Sequence, residues 1–297
     1  MEYKVSFPFN NNEIINKHTV NVDFFKDVYE VYTVPFFMDI QYDDMNGEPE
    51  KYSRDAFKFL EQIHANGTKI CVVFNNIFQE YDLVQIEKEL KRFRHLIDWI
   101  DVPNDDFLQF NNFKIKNTVI NVPSIDDIQN YSGYDLIYFH DDIIHNHDKF
   151  KAVKNKPFGC VVNFNECVSY CKLKKQHYKA IANHDFNFDL KYCPAFKMDF
   201  LELLLKRCAI PEDVTEYKYY SDVIDVFKLQ GRKDRVIFEN AVQIVNMLKN
   251  GTIPLHNQYI RNHLSKLDYI KYKLKTRNCT GNCKQCKFCD DLIKHRL

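Results

Sequence analysis

The sequence predicts an α/β protein, specifically an irregular parallel β/α (TIM-like) barrel with a C-terminal, helical, Cys-rich extension. Eight short apolar segments rich in β-branched and aromatic residues alternate with amphipathic helical segments. No glycine-rich turn of the kind that opens a doubly wound nucleotide-binding sheet is present, and the 297 residues include only 7 glycines. A barrel of this type needs about 250 residues, which leaves the end of the chain as an addition.

The predicted strands are short, and several are apolar almost throughout, as expected of strands that are covered on both sides. The weakest candidate is the seventh. In chain order they span residues 31–38, 69–74, 99–102, 118–122, 135–139, 158–164, 192–196 and 223–229.

The predicted helices carry apolar residues at intervals of three and four, which places those residues on one face. Leu201, Leu204 and Leu205 share such a face, and so do Ile237 and Ile244. The predicted helices span residues 54–65, 83–96, 125–131, 145–154, 198–208 and 235–249.

The chain is predicted to divide into a barrel over residues 1–250 and a helical extension over residues 251–297. Pro254 interrupts the preceding helix, and a further helix is predicted over residues 256–275. From Lys266 onward the chain holds nine Lys or Arg and three Asp or Glu, a local net of +6, although its total formal charge is zero. Such a basic end is a candidate for RNA phosphate contacts, and an ordinary solvated helix face has the same composition.

The sequence also predicts a cytoplasmic protein with no membrane partner. Its start is polar and lacks the apolar core of a signal peptide. No apolar run approaches the roughly 20 residues of a membrane span. Because thiols stay reduced in the cytosol, the ten cysteines need an explanation other than disulfides.

One group of cysteines lies near the end of the chain, where four thiols fall within eleven residues. Thiolates bind soft metals, and this tandem spacing resembles an iron–sulfur ligand run more than a zinc ribbon. An iron–sulfur cluster, zinc and unligated thiols remain open interpretations. The four cysteines are Cys279, Cys283, Cys286 and Cys289. Basic side chains flank the run and are expected to lower the thiol pKa values: Lys275, Arg277, Lys284 and Lys287.

A second group follows the predicted strand at residues 158–164, on the barrel face where chemistry is expected. Cys167 and Cys171 are four residues apart and can converge on one metal, and Cys193 lies in a later connection. By spacing alone, buried structural thiols explain the same pattern equally well. Three further cysteines fall inside predicted strands or helices and are expected in the core: Cys71, Cys160 and Cys208.

Three segments, in order, resemble peptidase family U32, the collagenase-like family. Residues 163–177 resemble its N-E-x-C-x-x-x-C…H segment, residues 210–217 its R-P-E-D-L-x-x-Y segment, and residues 227–232 its F/L-K-I-x-G-R strand. The cysteine run at residues 279–289 is similar to the tail of one bacterial branch. Ile210 stands where the family often has Arg, which puts a substrate contact there in doubt.

The resemblance implies an iron–sulfur barrel whose relatives are linked to oxygen-independent hydroxylation of RNA bases or of a quinone precursor. By motif, Cys167, Cys171 and Cys193 would hold a 4Fe-4S cluster, and the tail cysteines a second cluster or zinc. The better-known members hold four cysteines at the barrel site. The fourth ligand here is therefore open between Cys71, a tail cysteine and a non-protein group.

Three more residues are candidates for catalysis. Arg232 follows a strand and Gly231, so its guanidinium could clamp a carboxylate or phosphate, or instead pair with Asp222 or Asp234 on the surface. Glu166 and His177 belong to the resembling segment, and His177 would either orient a substrate or cap a helix. The chain has no Ser-His-Asp order and no HExxH helix, so peptidase chemistry has no support.

Two classes of function follow from these residues. One is an iron–sulfur enzyme that acts on a nucleobase or a small aromatic or carboxylate-bearing substrate. The other is a non-catalytic protein, either an electron carrier or scaffold for a related iron–sulfur subunit, or a zinc-binding protein that contacts RNA.

Overall fold

The computed structural model describes residues 3–9, 20–37, 54–74, 80–119, 125–139, 146–163, 171–173, 176–177, 179–180, 185, 187–207, 211, 213–231, 235–253, 255–277, 279 and 282–294. The strands in this part of the chain are β1 (Lys4–Pro8), β2 (Glu30–Thr33), β3 (Lys69–Val73), β4 (Trp99–Val102), β5 (Lys114–Asn117), β6 (Ile137–Phe139), β7 (Phe158–Val161) and β8 (Val226–Lys228).

All strand pairs are parallel, and the sheet order is β5-β4-β3-β2-β1-β8-β7-β6. Because β1 pairs with both β2 and β8, the sheet wraps around on itself. A parallel bridge between Lys116 and Leu136 brings its two edges, β5 and β6, together. The result is a nearly closed β/α barrel, and the predicted fold class is confirmed.

The helices of the described residues surround this barrel and continue past it. They are α1 (Arg54–Ala65), α2 (Leu83–Arg92), α3 (His147–Val153), α4 (Phe188–Tyr192), α5 (Phe200–Arg207), α6 (Val214–Tyr220), α7 (Arg235–Asn250), α8 (Leu255–His263), α9 (Lys266–Thr276), α10 (Cys283–Cys286) and α11 (Phe288–Lys294). Short 3-10 helices lie at Val22–Asp27, Asp105–Gln109, Ile125–Tyr131 and Ala195–Lys197.

Side chains complete the barrel where the backbone ladder between β5 and β6 is short. The Asn117 amide accepts a hydrogen bond from the Tyr138 backbone N–H at 2.6 Å and donates one to the Tyr138 carbonyl at 3.0 Å. The Asp135 carboxylate accepts from the Ile115 backbone N–H at 2.8 Å. These bonds satisfy buried backbone groups that would otherwise lack partners, so they join the two edges of the sheet.

Two of the predicted strands are wrong in type or place, and one strand was not predicted. The segment at residues 192–196 ends a helix at Tyr192 and continues into a 3-10 turn, because Pro194 cannot donate to a strand ladder. The strand predicted at residues 118–122 instead lies at Lys114–Asn117. The missed strand is β1, whose Ser6 faces the interior and gives the segment a polar character.

Several helices also differ from the prediction. Residues 125–131 form a 3-10 helix, and the helix predicted over residues 83–96 ends at Arg92. The single helix predicted over residues 256–275 is two helices. Ser265 separates them because its hydroxyl accepts from the Asp268 backbone N–H at 3.1 Å and so starts α9.

The C-terminal extension packs against α5, one of the helices in the connection between β7 and β8. A second apolar cluster, separate from the main core, joins α5 to α8, α9 and α11. No helix in the described part of the chain is long and apolar enough to span a bilayer. The buried residues of this cluster are Leu201, Leu204, Leu205, Ile237, Ile260, Leu264, Tyr272 and Leu292.

Candidate functional site

The barrel interior holds a charged pair that no water reaches. The Lys116 ammonium donates to both carboxylate oxygens of Glu30, one of them at 2.5 Å, and the Ser6 hydroxyl donates to the same carboxylate at 2.6 Å. The side chains of Lys116 and Glu30 are both 0% exposed. Burial alone would lower the pKa of Lys116, but the carboxylate charges of Glu30 and Asp101 and the hydrogen bond to Glu30 outweigh it and the pKa is raised.

A second pair crosses the full width of the barrel, from β8 to β4. The Lys228 ammonium donates to one Asp101 oxygen at 2.6 Å and lies 4.4 Å from the Tyr32 ring and 4.8 Å from the Tyr138 ring. The Tyr32 hydroxyl in turn donates to the Leu229 carbonyl at 2.7 Å. The other oxygen of Asp101 is buried and has no hydrogen-bond partner among the described residues.

This interior fixes the protonation of the thiol that it contains. Cys71 is fully buried, and burial first, then the nearby Asp101 charge, raises its pKa well above the ordinary value. Cys71 therefore remains a neutral thiol, and the prediction that Cys71 and Cys160 belong to the core is confirmed. Cys208 lies outside the described residues.

Because the strands are parallel, their C-terminal ends all meet at one mouth of the barrel. Most of the segments that follow the strands there are outside the described residues. They include Glu166, Cys167 and Arg232, so the roles predicted for these three residues stay predictions. The undescribed stretches that come after strands in the sequence are residues 10–19, 38–53, 75–79, 120–124, 140–145, 164–170 and 232–234.

At the ends of β7 and β8, two of the U32-like segments are joined directly. The Asn163 amide donates to the Gln230 carbonyl at 2.9 Å and accepts from the Gln230 backbone N–H at 2.6 Å. Gly231 follows at φ +134°, and a Cβ there would lie 2.6 Å from backbone atoms of Phe238. Only glycine fits this close approach, which positions the end of the third segment against α7.

The remaining U32-like segment packs beside the same strand. Asp213 begins α6 by accepting from the Glu216 backbone N–H at 3.1 Å. Tyr217 on that helix is buried, and its ring lies 4.9 Å from the ring of Phe227 on β8. Described residues of all three segments, namely Asn163, Tyr217 and Phe227, therefore lie at β8 or beside the residues that follow it.

The predicted cluster residues in the β7–β8 connection are only partly described. Cys193 is buried and Cys171 is half-buried. His177 lies in a helical turn, where its backbone N–H donates to the Leu173 carbonyl at 2.8 Å and its ring lies 6.0 Å from that of Phe188. Across the described residues, no three His, Cys, Asp or Glu side chains are close enough to hold one metal ion.

The tail cysteines lie against the C-terminal end of α5. The Cys289 thiol is 3.7 Å from the Leu205 carbonyl. The residue Cys283 is exposed as a whole, but partial desolvation of its sulfur, followed by Cys279 and Cys289, raises the pKa of the thiol, while Lys206 opposes the rise. The expectation that the flanking basic residues lower this pKa is therefore wrong for Cys283, because the lysine that acts on it comes from α5. As placed, these thiols do not form a metal-ligand set.

The lysines of α9, in the basic tail, differ in their exposure to a possible anionic partner. Lys273 pairs with Glu216 at 2.8 Å, and their side chains are only 19% and 10% exposed. This lysine holds α9 against α6. Lys271 and Lys275 are exposed and remain candidates for an anionic partner.

Comparisons with known proteins give one informative likeness. No protein-family model and no curated protein matches the chain. The solved structure of the U32 peptidase Mk0906 is similar at 10% identity and a TM-score of 0.50, covering 77% of this chain and 93% of that chain. The 3-dehydroquinate dehydratase from Aquifex aeolicus VF5 has 12% identity over 84% of this chain and 99% of that chain, but its TM-score of 0.33 carries no argument. At 10% identity, the first likeness shows the barrel fold alone.

The sequence reasoning missed the interior charges. Asp101 and Lys228 each lie in a short strand that is otherwise apolar, and Glu30 and Lys116 lie in short strands that hold other polar residues as well. A charged residue at such a position is the signal that could have identified them, because alternate residues of a barrel strand face the interior.

Proposed function

We propose that this chain is an iron–sulfur enzyme of the U32 type that hydroxylates, without oxygen, or similarly modifies a nucleobase or small aromatic substrate at the C-terminal mouth of its barrel. The observation that supports the proposal is that described residues of all three U32-like segments come together at β8 and the residues that follow it. The paired hydrogen bonds between Asn163 and Gln230 hold the start of the cysteine-bearing segment beside the strand that leads to Gly231 and Arg232.

Cys167, Cys171 and Cys193 would hold the cluster in this proposal. The described cysteines form no disulfide, which is the state that iron ligation requires. A bound cluster would supply electron transfer, or an iron that polarises a substrate oxygen. The fourth ligand stays open, and the buried Cys71 is a poor candidate because its raised pKa favours the neutral thiol.

Among the chain's own residues, the cation placed to meet an anionic group of the substrate would be the arginine that follows β8. The ammonium of Lys228, the last residue of β8, is already paired with Asp101 at 2.6 Å inside the barrel. Arg232, four residues after the end of β8 and next to Gly231, would supply that cation at the mouth of the barrel.

The proposal is tested by anaerobic purification followed by quantification of iron, sulfide and zinc. We expect a brown protein that loses its colour in air. The Cys167→Ala/Cys171→Ala double variant should lose one iron population and all turnover, while the circular dichroism spectrum is retained. The matched Cys283→Ala/Cys286→Ala variant removes the same number of thiols from the tail and should retain the barrel population.

Three results would contradict the proposal. A colourless protein with stoichiometric zinc and no sulfide would favour a zinc-binding protein instead. Loss of all iron in either double variant would indicate one shared site. A cluster that remains intact while no nucleobase, aromatic or carboxylate-bearing substrate is turned over would favour a non-catalytic electron carrier or scaffold.

A further inference from the structure

Helix α9 presents an apolar stripe to the solvent. Leu267, Ile270 and Leu274 are 62%, 46% and 60% exposed, whereas Tyr272 and Thr276 on the opposite side are buried against the protein. The three exposed residues follow the spacing i, i+3, i+7, so they form one straight stripe about 10 Å long. Exposed large apolar side chains are ordinary when scattered, but three in register on one helix mark an interaction surface.

The spacing of the stripe is that of a coiled-coil seam. Leu267 and Leu274 take successive a positions and Ile270 takes d. Lys266 and Lys271 then fall at the flanking g and e positions, and both are exposed. Lys271 has only a long contact of 3.7 Å with Asp268.

The charges around the stripe are of one sign. On α9 and its C-cap, every exposed charged residue is basic. The single acidic residue, Asp268, is half-buried and engaged with the Ser265 hydroxyl at the start of the helix. A second copy of this chain would place lysine against lysine at the flanks, in either a parallel or an antiparallel arrangement. The exposed basic residues are Lys266, Lys271, Lys275 and Arg277.

We propose that the Leu267–Ile270–Leu274 stripe is a docking seam for an amphipathic helix of a different protein, with apolar residues at its a and d positions and acidic residues at its e and g positions. The apolar stripe supplies the buried area, and the lysines select the acidic partner and exclude a second copy. This inference is independent of the metal content of the protein, so it stands or falls separately from the proposed function.

Other anionic partners fit the seam less well. RNA phosphates would use the lysines and leave the apolar stripe exposed, and Lys273 is already paired with Glu216. An anionic bilayer would accept both features, but a single 11-residue helix with three apolar residues offers little area to insert. Both alternatives are outcomes of the test below.

The test uses the full chain and two designed helical peptides with Leu at a and d. One peptide carries Glu at e and g, and the other carries Lys there. We expect the Glu peptide to bind at least 10-fold more tightly than the Lys peptide by fluorescence anisotropy. The Leu267→Ser/Leu274→Ser variant should lose at least 10-fold in affinity. Val84→Ser is the matched control, since it removes a single 80% exposed apolar residue from α2 and should change nothing.

A charge-reversal variant tests the predicted preference for an acidic helix even if the apolar variants fold poorly. Lys266→Glu/Lys271→Glu should reverse the preference, so that the Lys peptide binds more tightly. Failure of both peptides to bind, or equal binding of both, would overturn the proposal. So would Leu267- and Leu274-dependent self-association in sedimentation, or binding to phosphatidylserine vesicles or single-stranded RNA in place of the Glu peptide.

Discussion

The barrel interior and the C-terminal extension use the same residue types in opposite ways. Inside the barrel, Lys116 and Lys228 are buried and each is satisfied by one carboxylate. On the extension, Lys266 and Lys275 are exposed, and neither forms an ion pair with another residue that the structure describes. A buried charge requires its partner in the same fold, whereas an exposed charge can serve a partner that arrives later.

The thiols divide in the same way. Cys71 and Cys160 are fully buried core residues, but Cys283 and Cys286 are exposed on a short helix. A chain with zero formal charge and ten cysteines thus combines a buried, paired interior with an extension that presents exposed lysines and thiols. Each prediction below perturbs one side of this contrast.

The largest effect is expected from breaking the Lys116–Glu30 pair. Lys116→Met leaves the Glu30 carboxylate buried without its cation, and we expect a loss of about 3–5 kcal/mol in the free energy of unfolding. Urea denaturation followed by circular dichroism measures it. The control is Lys271→Met on the exposed face of α9, which should change stability by less than about 0.5 kcal/mol.

A double variant shows whether the loss comes from the orphaned charge. Lys116→Met/Glu30→Leu removes both charges and should recover most of the stability lost in Lys116→Met, because apolar residues can replace a buried pair. A double variant no more stable than the single one would mean that interior packing, and not charge, dominates.

The next effect concerns the closure of the barrel between β5 and β6. Asn117→Ala leaves the buried N–H and carbonyl of Tyr138 without side-chain partners, and we expect a loss of about 2–4 kcal/mol by chemical denaturation. On the extension, Asn282 makes a comparable 2.7 Å hydrogen bond to Gln285, but it is exposed. Asn282→Ala should therefore change stability by less than about 0.5 kcal/mol. Equal effects at the two sites would contradict the contrast.

The parts of this fold that sequence can predict are those set by local periodicity. The predicted helix at residues 54–65 coincides with α1, and that at 235–249 differs from α7 by one residue, because each has an apolar face of three or more turns. The barrel class follows from the alternation of such helices with short strands. The missed strand β1 has Ser6 facing the barrel interior, so it lacks the continuous apolar run that predicted the other strands.

The interior pairs could not be predicted by the same reasoning. Lys116 and Glu30 are 86 positions apart, and Lys228 and Asp101 are 127 apart, so only the closed barrel brings them together. The candidate site shows the same limit. The sequence shows the order of the U32-like segments along the chain. It does not predict the contact of Asn163 with Gln230, because the two residues are 67 positions apart and the contact depends on strand order.

Alkaline pH should test the buried tyrosines of the core. Burial, followed by the Glu216 charge, raises the pKa of Tyr220 from 10.0 to about 12. Because the folded-state pKa lies above the unfolded value, the contribution of Tyr220 to stability is complete below pH 10 and is lost as the pH rises towards 12. We expect Tyr220 to account for about 2–3 kcal/mol of that loss.

The measurement is denaturation at a series of pH values between 8 and 12, with Tyr220→Phe as the comparison. The variant lacks the ionisable hydroxyl, so its stability should fall less steeply above pH 10. Identical slopes would show that Tyr220 does not ionise on unfolding in this range.

The smallest effect on stability is expected at the tail thiols. Cys283→Ser in metal-free protein should change the free energy of unfolding by less than about 0.5 kcal/mol, because the residue is exposed. Its reactivity is more informative. Since the pKa of Cys283 is raised, alkylation by iodoacetamide at pH 8 should be slower than in the urea-unfolded chain.

Lys206 opposes the raised pKa of Cys283, so removing it should slow the alkylation of Cys283 further. Arg277 is a cation of the same extension that lies 5.3 Å from the Tyr219 ring, which makes Arg277→Met the matched control. Mass spectrometry of the labelled peptide measures both variants. If Arg277→Met slows the reaction as much as Lys206→Met, the surrounding basic charge controls the thiol after all, and the α5 lysine has no special role. If added iron or zinc then protects Cys283 and Cys289 together, the two thiols move closer on metal binding than they are in the metal-free protein.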